Sequence, residues 1–137
     1  MGDTASMSAR GALIERIYAA QSSGDSAPLR DALAPDAVWV GIEGNGANGE
    51  TGLCENRKMV VDRLRQLARR GRSFALVEYL EHGGDVAACF EVSDPNWPVQ
   101  VTLWKLFRFD PTSERIVRIE DCVGREQALA ALGTTSA

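Results

Sequence analysis

Apolar residues recur along this chain first at a helical period and then at a period of two. Leu13, Ile17 and Ala20 stand at i, i+4 and i+7, and Ile14 with Tyr18 widens the stripe. This predicts a helix from about Ala9 to Ser23, stopped by Gly24. Asp25 or Ser26 then caps a short second helix, with Pro28 in its first turn, Leu29 and Leu33 inward, and Pro35 ending it. "AVWVGI", residues 37–42, reads as a first strand. "EGNGANGETG", residues 43–52, holds four glycines and two asparagines and predicts an irregular loop. A third helix follows over about Glu55 to Arg70, with Val60, Leu64 and Leu67 as its inner stripe and Gly71 closing it.

From residue 73 the period changes. "SFALVEYLE" and "VAACFEVS" flank "HGGD", a hairpin turn composition. "DPNWP" leads to the long strand "VQVTLWKLFRFD", and "PTSE" turns it into "RIVRIEDCV". "GREQALAAL" is a short closing helix. The predicted order is α-α-β-α-β-β-β-β-α, an α+β fold whose last four strands are antiparallel and whose early helices cover one sheet face. The other face carries Trp104, Leu106 and Ile116, and a second subunit is the simplest cover for them, which predicts a homodimer. Residues 1–8 and 133–137 read as tails around a single domain, 9–132.

Composition narrows the classes. Fifteen basic against nineteen acidic residues give −4, which favours neither nucleic acid nor an anionic membrane. The stretch from Glu55 to Arg72 holds seven basic and two acidic residues, so it is locally +5. It has no interleaved aromatic residues and reads as a solvated helix face rather than a nucleic-acid surface. The first eleven residues lack the apolar stretch of a signal peptide. With three cysteines at no metal-ligand spacing, this predicts reduced thiols, a cytoplasmic protein, no metal and no cofactor. The glycine-rich loop lacks the Gly-Lys-Ser/Thr ending of a phosphate loop. His82, the one histidine, sits at a hairpin turn and is expected in solvent.

Candidate chemistry begins with "RIVRIEDCV". Alternation puts Val117, Ile119, Asp121 and Val123 on the more apolar side, and a carboxylate there is costly unless it faces a cavity or a partner. Asp121 is therefore a candidate acid, base or anchor, against the plainer reading of a strand-end residue pairing with Arg125 or capping the closing helix. If it is buried and poorly paired, Asp121→Asn is expected to leave the fold no less stable. Glu78 repeats the pattern beside Leu76 and Leu80. Trp39 and Trp97 are candidate cavity walls, the latter in a loop bracketed by Pro95 and Pro98.

"IERIYAAQSSGDSAPLRDALAPDAVW", "MVVDRLRQL", "LWKLFRFD" and "RIVRIEDCVGREQAL", in that order and spacing, resemble the nuclear transport factor 2-like superfamily, in particular its SnoaL-like and ketosteroid-isomerase-like members. The resemblance implies a cone-shaped antiparallel sheet wrapped around helices, a deep pocket at the open end and pairing through the outer sheet face. On that cone Tyr18 on the first helix is expected to reach the pocket, together with Trp39 and Asp121. The steroid-isomerase groups are replaced: Ile17 stands at the tyrosine position, Gly41 at the base and Lys105 at the acid. Of the aspartate–arginine–aspartate relay of the epoxide-hydrolase-like members, Asp121 matches one aspartate. The Arg-x-Asp partner is missing, its place being taken by Glu91, Val92, Ser93 and Asp94. The resemblance thus implies a small-molecule pocket protein: a cofactor-independent isomerase, cyclase, dehydratase or hydrolase acting on an apolar substrate, or a non-catalytic ligand-binding or protein-interaction module on the same fold.

Overall fold

The computed structural model describes residues 8–41 and 53–133. Helices α1 (Ala9–Ser22) and α2 (Ala27–Ala32) are followed by strands β1 (Leu33–Val40) and β2 (Leu53–Cys54) and helix α3 (Arg57–Arg69). Strands β3 (Ser73–His82), β4 (Asp85–Ser93), β5 (Val101–Phe109) and β6 (Ile116–Cys122) precede the closing helix α4 (Arg125–Leu132). The six strands form one curved, unclosed sheet in the order β2-β1-β6-β5-β4-β3. Neighbours from β3 to β6 are antiparallel, whereas β1 runs parallel to β6. No helix among the described residues is long and apolar enough to cross a membrane. The expected loop at 43–52 and nearly all of the expected tails lie outside the described residues.

Local chemistry explains the element ends. Ser8 caps α1, its Oγ accepting the Gly11 N–H at 2.9 Å. At α2 the cap position is Ser26, but Asp25 Oδ1 takes the Ala27 N–H instead, at 3.0 Å. Asn56 caps α3 by accepting from the Met59 N–H at 3.0 Å. The first strand starts earlier than residue 37, because Leu33 already pairs with Ile116. The register slips between Leu33 and Val38, and Pro35, which has no N–H to give a ladder, falls in that slip.

The concave face holds the main core. Ile14, Ile17 and Tyr18 of α1 and Leu64 and Leu67 of α3 pack on Phe90, Phe107 and Ile119 of the sheet. Gly11 is where α1 meets β3: a Cβ there would lie 2.2 Å from Cζ of Tyr79, whose hydroxyl accepts the Ser8 N–H at 2.6 Å. Gly11→Ala must displace that ring. The expected cost is about 1–3 kcal/mol, as for other overpacked sites, measurable as a lowered urea midpoint.

Two bulges correct the face assignments made by alternation. Between Leu76 and Glu78 the β3–β4 register shifts, leaving Val77 as the extra residue. Leu76 and Tyr79 then pack inward, while Glu78 turns to the outer face, half-exposed and 4.0 Å from Arg125. Between Arg108 and Phe109 the β5–β6 register shifts opposite Val117, and Ile116 joins the inner core rather than the outer face.

The outer face is also covered differently. Helix α4 lies on it, and Ala128 and Leu132 pack with Ala87, Cys89, Trp104, Leu106 and Cys122 in a second apolar cluster. Trp104 is 6% exposed and Leu106 fully buried, so the side chains expected to meet a second subunit are sealed by the chain's own last helix.

Candidate functional site

A cavity of about 270 Å³ opens on the concave side of the sheet, between its strands and the end of α3. Its walls come from Trp39 on β1, Phe74 on β3, Leu103 and Lys105 on β5, Asp121 on β6, and Trp97 in the loop before β5. Register makes the polar end. Lys105 and Asp121 are direct partners across the β5–β6 ladder, so both side chains project to the same face. Lys105 Nζ donates to Asp121 Oδ1 at 2.5 Å, and each side chain is only 1% exposed. Trp39 Nε1–H donates to the same oxygen at 3.0 Å. The Lys105 ammonium also sits 4.5 Å from the centre of the Trp39 ring, within cation–π range. An ion pair with an added N–H donor and a ring face is what allows two charges to stay buried in an apolar wall.

The opposite end is less enclosed. Val101 there is 40% exposed, and Trp97 lies beneath the Arg72 guanidinium, which is 4.4 Å from its ring centre. Arg72 follows the left-handed Gly71, which ends α3 against Pro95. Its Nε donates to Asp94 Oδ2 at 2.9 Å. The Asn96 N–H, and after it Arg72, hold the Asp94 carboxyl below the usual carboxylate range against the opposing effect of burial. Asp94 thus has an arginine partner, from just beyond the end of α3.

Of the side chains singled out in the sequence, Asp121, Trp39 and Trp97 line this one cavity. Tyr18 does not. It lies behind the wall, with ring centres 4.6 Å from Phe90 and 5.2 Å from Phe74. Burial first, and the Asp121 charge second, raise its phenol far above the usual range, which keeps it neutral. Glu78 is on the other face of the sheet. Two charged cavity residues, Lys105 and Arg72, were not singled out as site residues. Lys105 alternates with Leu103 and Phe107 and shows the same anomaly as Asp121, and pairing the two strands across "PTSE" sets them opposite each other. Arg72 had no signal to separate it from the other basic residues around α3.

The chemistry available is proton transfer and oxyanion stabilisation. The three cysteines are free and buried. Burial raises all three thiols, and with Glu120 and Asp121 pushes Cys122 up to about 11, so none is a ready thiolate nucleophile. Among the described residues no cluster of His, Cys, Asp or Glu is arranged to hold a metal ion.

No family model and no curated protein matches the sequence. Solved structures do. A nuclear transport factor 2-like protein of unknown function from Burkholderia pseudomallei superposes with a TM-score of 0.70 at 21% identity, over 96% of this chain and all of that one. A cystatin-like-fold protein from Methylobium petroleophilum gives 0.73 at 17% identity, over 88% of this chain and 79% of that one. A proposed polyketide cyclase from Sinorhizobium meliloti gives 0.65 at 20% identity, over 81% and 94%. With the curved sheet, the helices on its concave side and the order of elements, these likenesses define the class: the chain has the nuclear transport factor 2-like, or cystatin-like, fold.

Proposed function

We propose that this chain is a SnoaL-like pocket protein that moves a proton on a small, largely apolar carbonyl compound without a cofactor. The observation that carries the reading is the Lys105–Asp121 pair, each side chain 1% exposed, at one end of a cavity whose described walls are otherwise mostly apolar. Asp121 is the base: its carboxylate takes a proton from the carbon beside the carbonyl, and the C–H electron pair moves into an enolate. Lys105 has three N–H donors, of which one goes to Asp121, so another can hold the developing enolate oxygen. Return of the proton from Asp121 to a different carbon of a conjugated enolate completes an isomerisation; attack by the enolate carbon on a second carbonyl forms a C–C bond and an alkoxide, which takes the proton back from Asp121 and completes a cyclisation. The proposed cyclase activity of a structural neighbour is consistent with this chemistry. A second reading, a binding module without turnover, is favoured by one feature: Trp39 and Lys105 both already donate to Asp121 Oδ1. Trp104 and Leu106 lie under α4, so neither reading places a second subunit there.

Deuterium exchange tests the proposal. In D2O, the protein should accelerate exchange at the carbon beside the carbonyl of 1-indanone or 2-tetralone by at least about 100-fold over buffer, the lower range for general-base catalysis. The Lys105→Met/Asp121→Asn double variant should return exchange to background. Quenching of Trp39 and Trp97 fluorescence without exchange would instead establish the binding module. Neither quenching nor exchange would remove both readings.

A further inference from the structure

The Lys105–Asp121 pair leaves a second charged group in the same cavity unexplained. Arg72 lines the cavity with a side chain only 8% exposed. Its Nε is committed to Asp94 Oδ2, and its guanidinium lies over the face of Trp97. The terminal Nη1 and Nη2 therefore have no acceptor among the described residues. A guanidinium is always charged, and these terminal N–H groups, which are not among the buried polar atoms left without a partner, stay open to solvent or to a ligand. The Asp94 contact also fixes the fork: with Nε held, the Nη1–Nη2 edge is the one left to meet a ligand, and that edge matches a planar carboxylate in two parallel bonds.

Charge around the site points the same way. Among the described residues, Arg72 and Lys105 are the cations of the cavity wall and Asp121 is its carboxylate. Arg63 and Arg70 stand close enough to act on the same region. The Arg63 guanidinium is held below its usual range mainly by burial, with Arg70 and Arg72 adding to the effect. Asp94 offsets one of these charges and is already occupied by the Asn96 N–H as well as by Arg72.

We infer that Arg72 recognises an anionic group at the less enclosed end of the cavity, so that the ligand is an apolar ring compound bearing a carboxylate. This rests on the pocket reading above and adds the class of ligand. The apolar body would lie against Trp39, Phe74 and Leu103, its reacting end at Lys105 and Asp121, and its carboxylate on Arg72 beside Trp97. Arg72 is a specificity residue in this scheme. It touches the ligand and does not touch the reacting carbon.

Titration calorimetry with 2-naphthoate and 2-naphthamide, which share a shape and differ in charge, separates this from a merely structural clamp on the loop. The unmodified chain should bind the acid at least about 10-fold more tightly than the amide, which corresponds to about 1.4 kcal/mol. In Arg72→Met/Asp94→Asn, which removes both charges together, the acid should fall to the affinity of the amide while the amide stays within about twofold. Arg72→Lys keeps the charge without the fork and should retain part of the preference. It also serves as the check should the double variant fail to fold. Equal binding of acid and amide by the unmodified chain would overturn the inference while leaving the pocket reading intact. So would a preference for the acid that survives the loss of Arg72. Binding of neither compound, by heat or by tryptophan quenching, would overturn both.

Discussion

Asp121→Asn lowers the stability of the folded chain by about 3–5 kcal/mol, the range for breaking a buried ion pair from one side. This is the opposite sign to the one expected from sequence, and the difference lies in a single partner. A buried, poorly paired carboxylate gains from losing its charge. Asp121 is paired: Lys105 Nζ is 2.5 Å away, and the Lys105 side chain is itself 1% exposed. Neutralising Asp121 leaves that ammonium in an apolar wall beside Trp39 and Phe74, where the ring faces replace little of its hydration. Lys105→Met alone should be costly for the mirror-image reason. The double variant Lys105→Met/Asp121→Asn should recover most of the loss, so that the two effects fall far short of adding. Urea unfolding of the four proteins gives the coupling directly. Two single variants that each cost less than about 0.5 kcal/mol would mean that the pair is solvated and not a buried site.

How much was legible in the sequence follows from where the backbone stays regular. Helical periods placed α1 and α3 because a stripe such as Val60, Leu64 and Leu67 repeats without interruption. Alternation placed Asp121 on the inner face because β6 is regular from Ile119 to Cys122. It failed at Glu78 and Ile116 because one extra residue, Val77 or Val117, reverses every face assignment beyond it, and a bulge of this kind leaves no compositional mark. The parallel pairing of β1 with β6 joins residues about 80 positions apart, and no local pattern encodes that. Lys105 was visible in principle. Its position was read only as the loss of an acid, although a cation one strand away from Asp121 was the partner that the carboxylate required.

The outer sheet face yields the other large effect. Ending the chain after Gly124 removes α4 and should cost more than about 5 kcal/mol, since each large side chain returned to water accounts for about 1.5–3 kcal/mol. Trp104, Leu106, Cys89 and Cys122 are the residues uncovered, and in the intact chain none is more than 6% exposed. The loss also removes the bond from Arg108 Nη2–H to the Ala131 carbonyl, at 3.1 Å. A total of that size is a large share of the roughly 5–15 kcal/mol that holds a domain of this kind folded. The uncovered patch includes Trp104 and Leu106, two of the side chains that, read from sequence, called for a second subunit. Truncation should therefore create the self-association that the sequence suggested, seen as a concentration-dependent mass in sedimentation equilibrium. Ala128→Asp tests the same face without shortening the chain: Ala128 is fully buried under α4, and a carboxylate there has to leave the sheet or remain unpaired. It should lower the urea midpoint and raise the apparent mass together. A truncated chain that keeps both its midpoint and its mass would show that α4 does not seal the face.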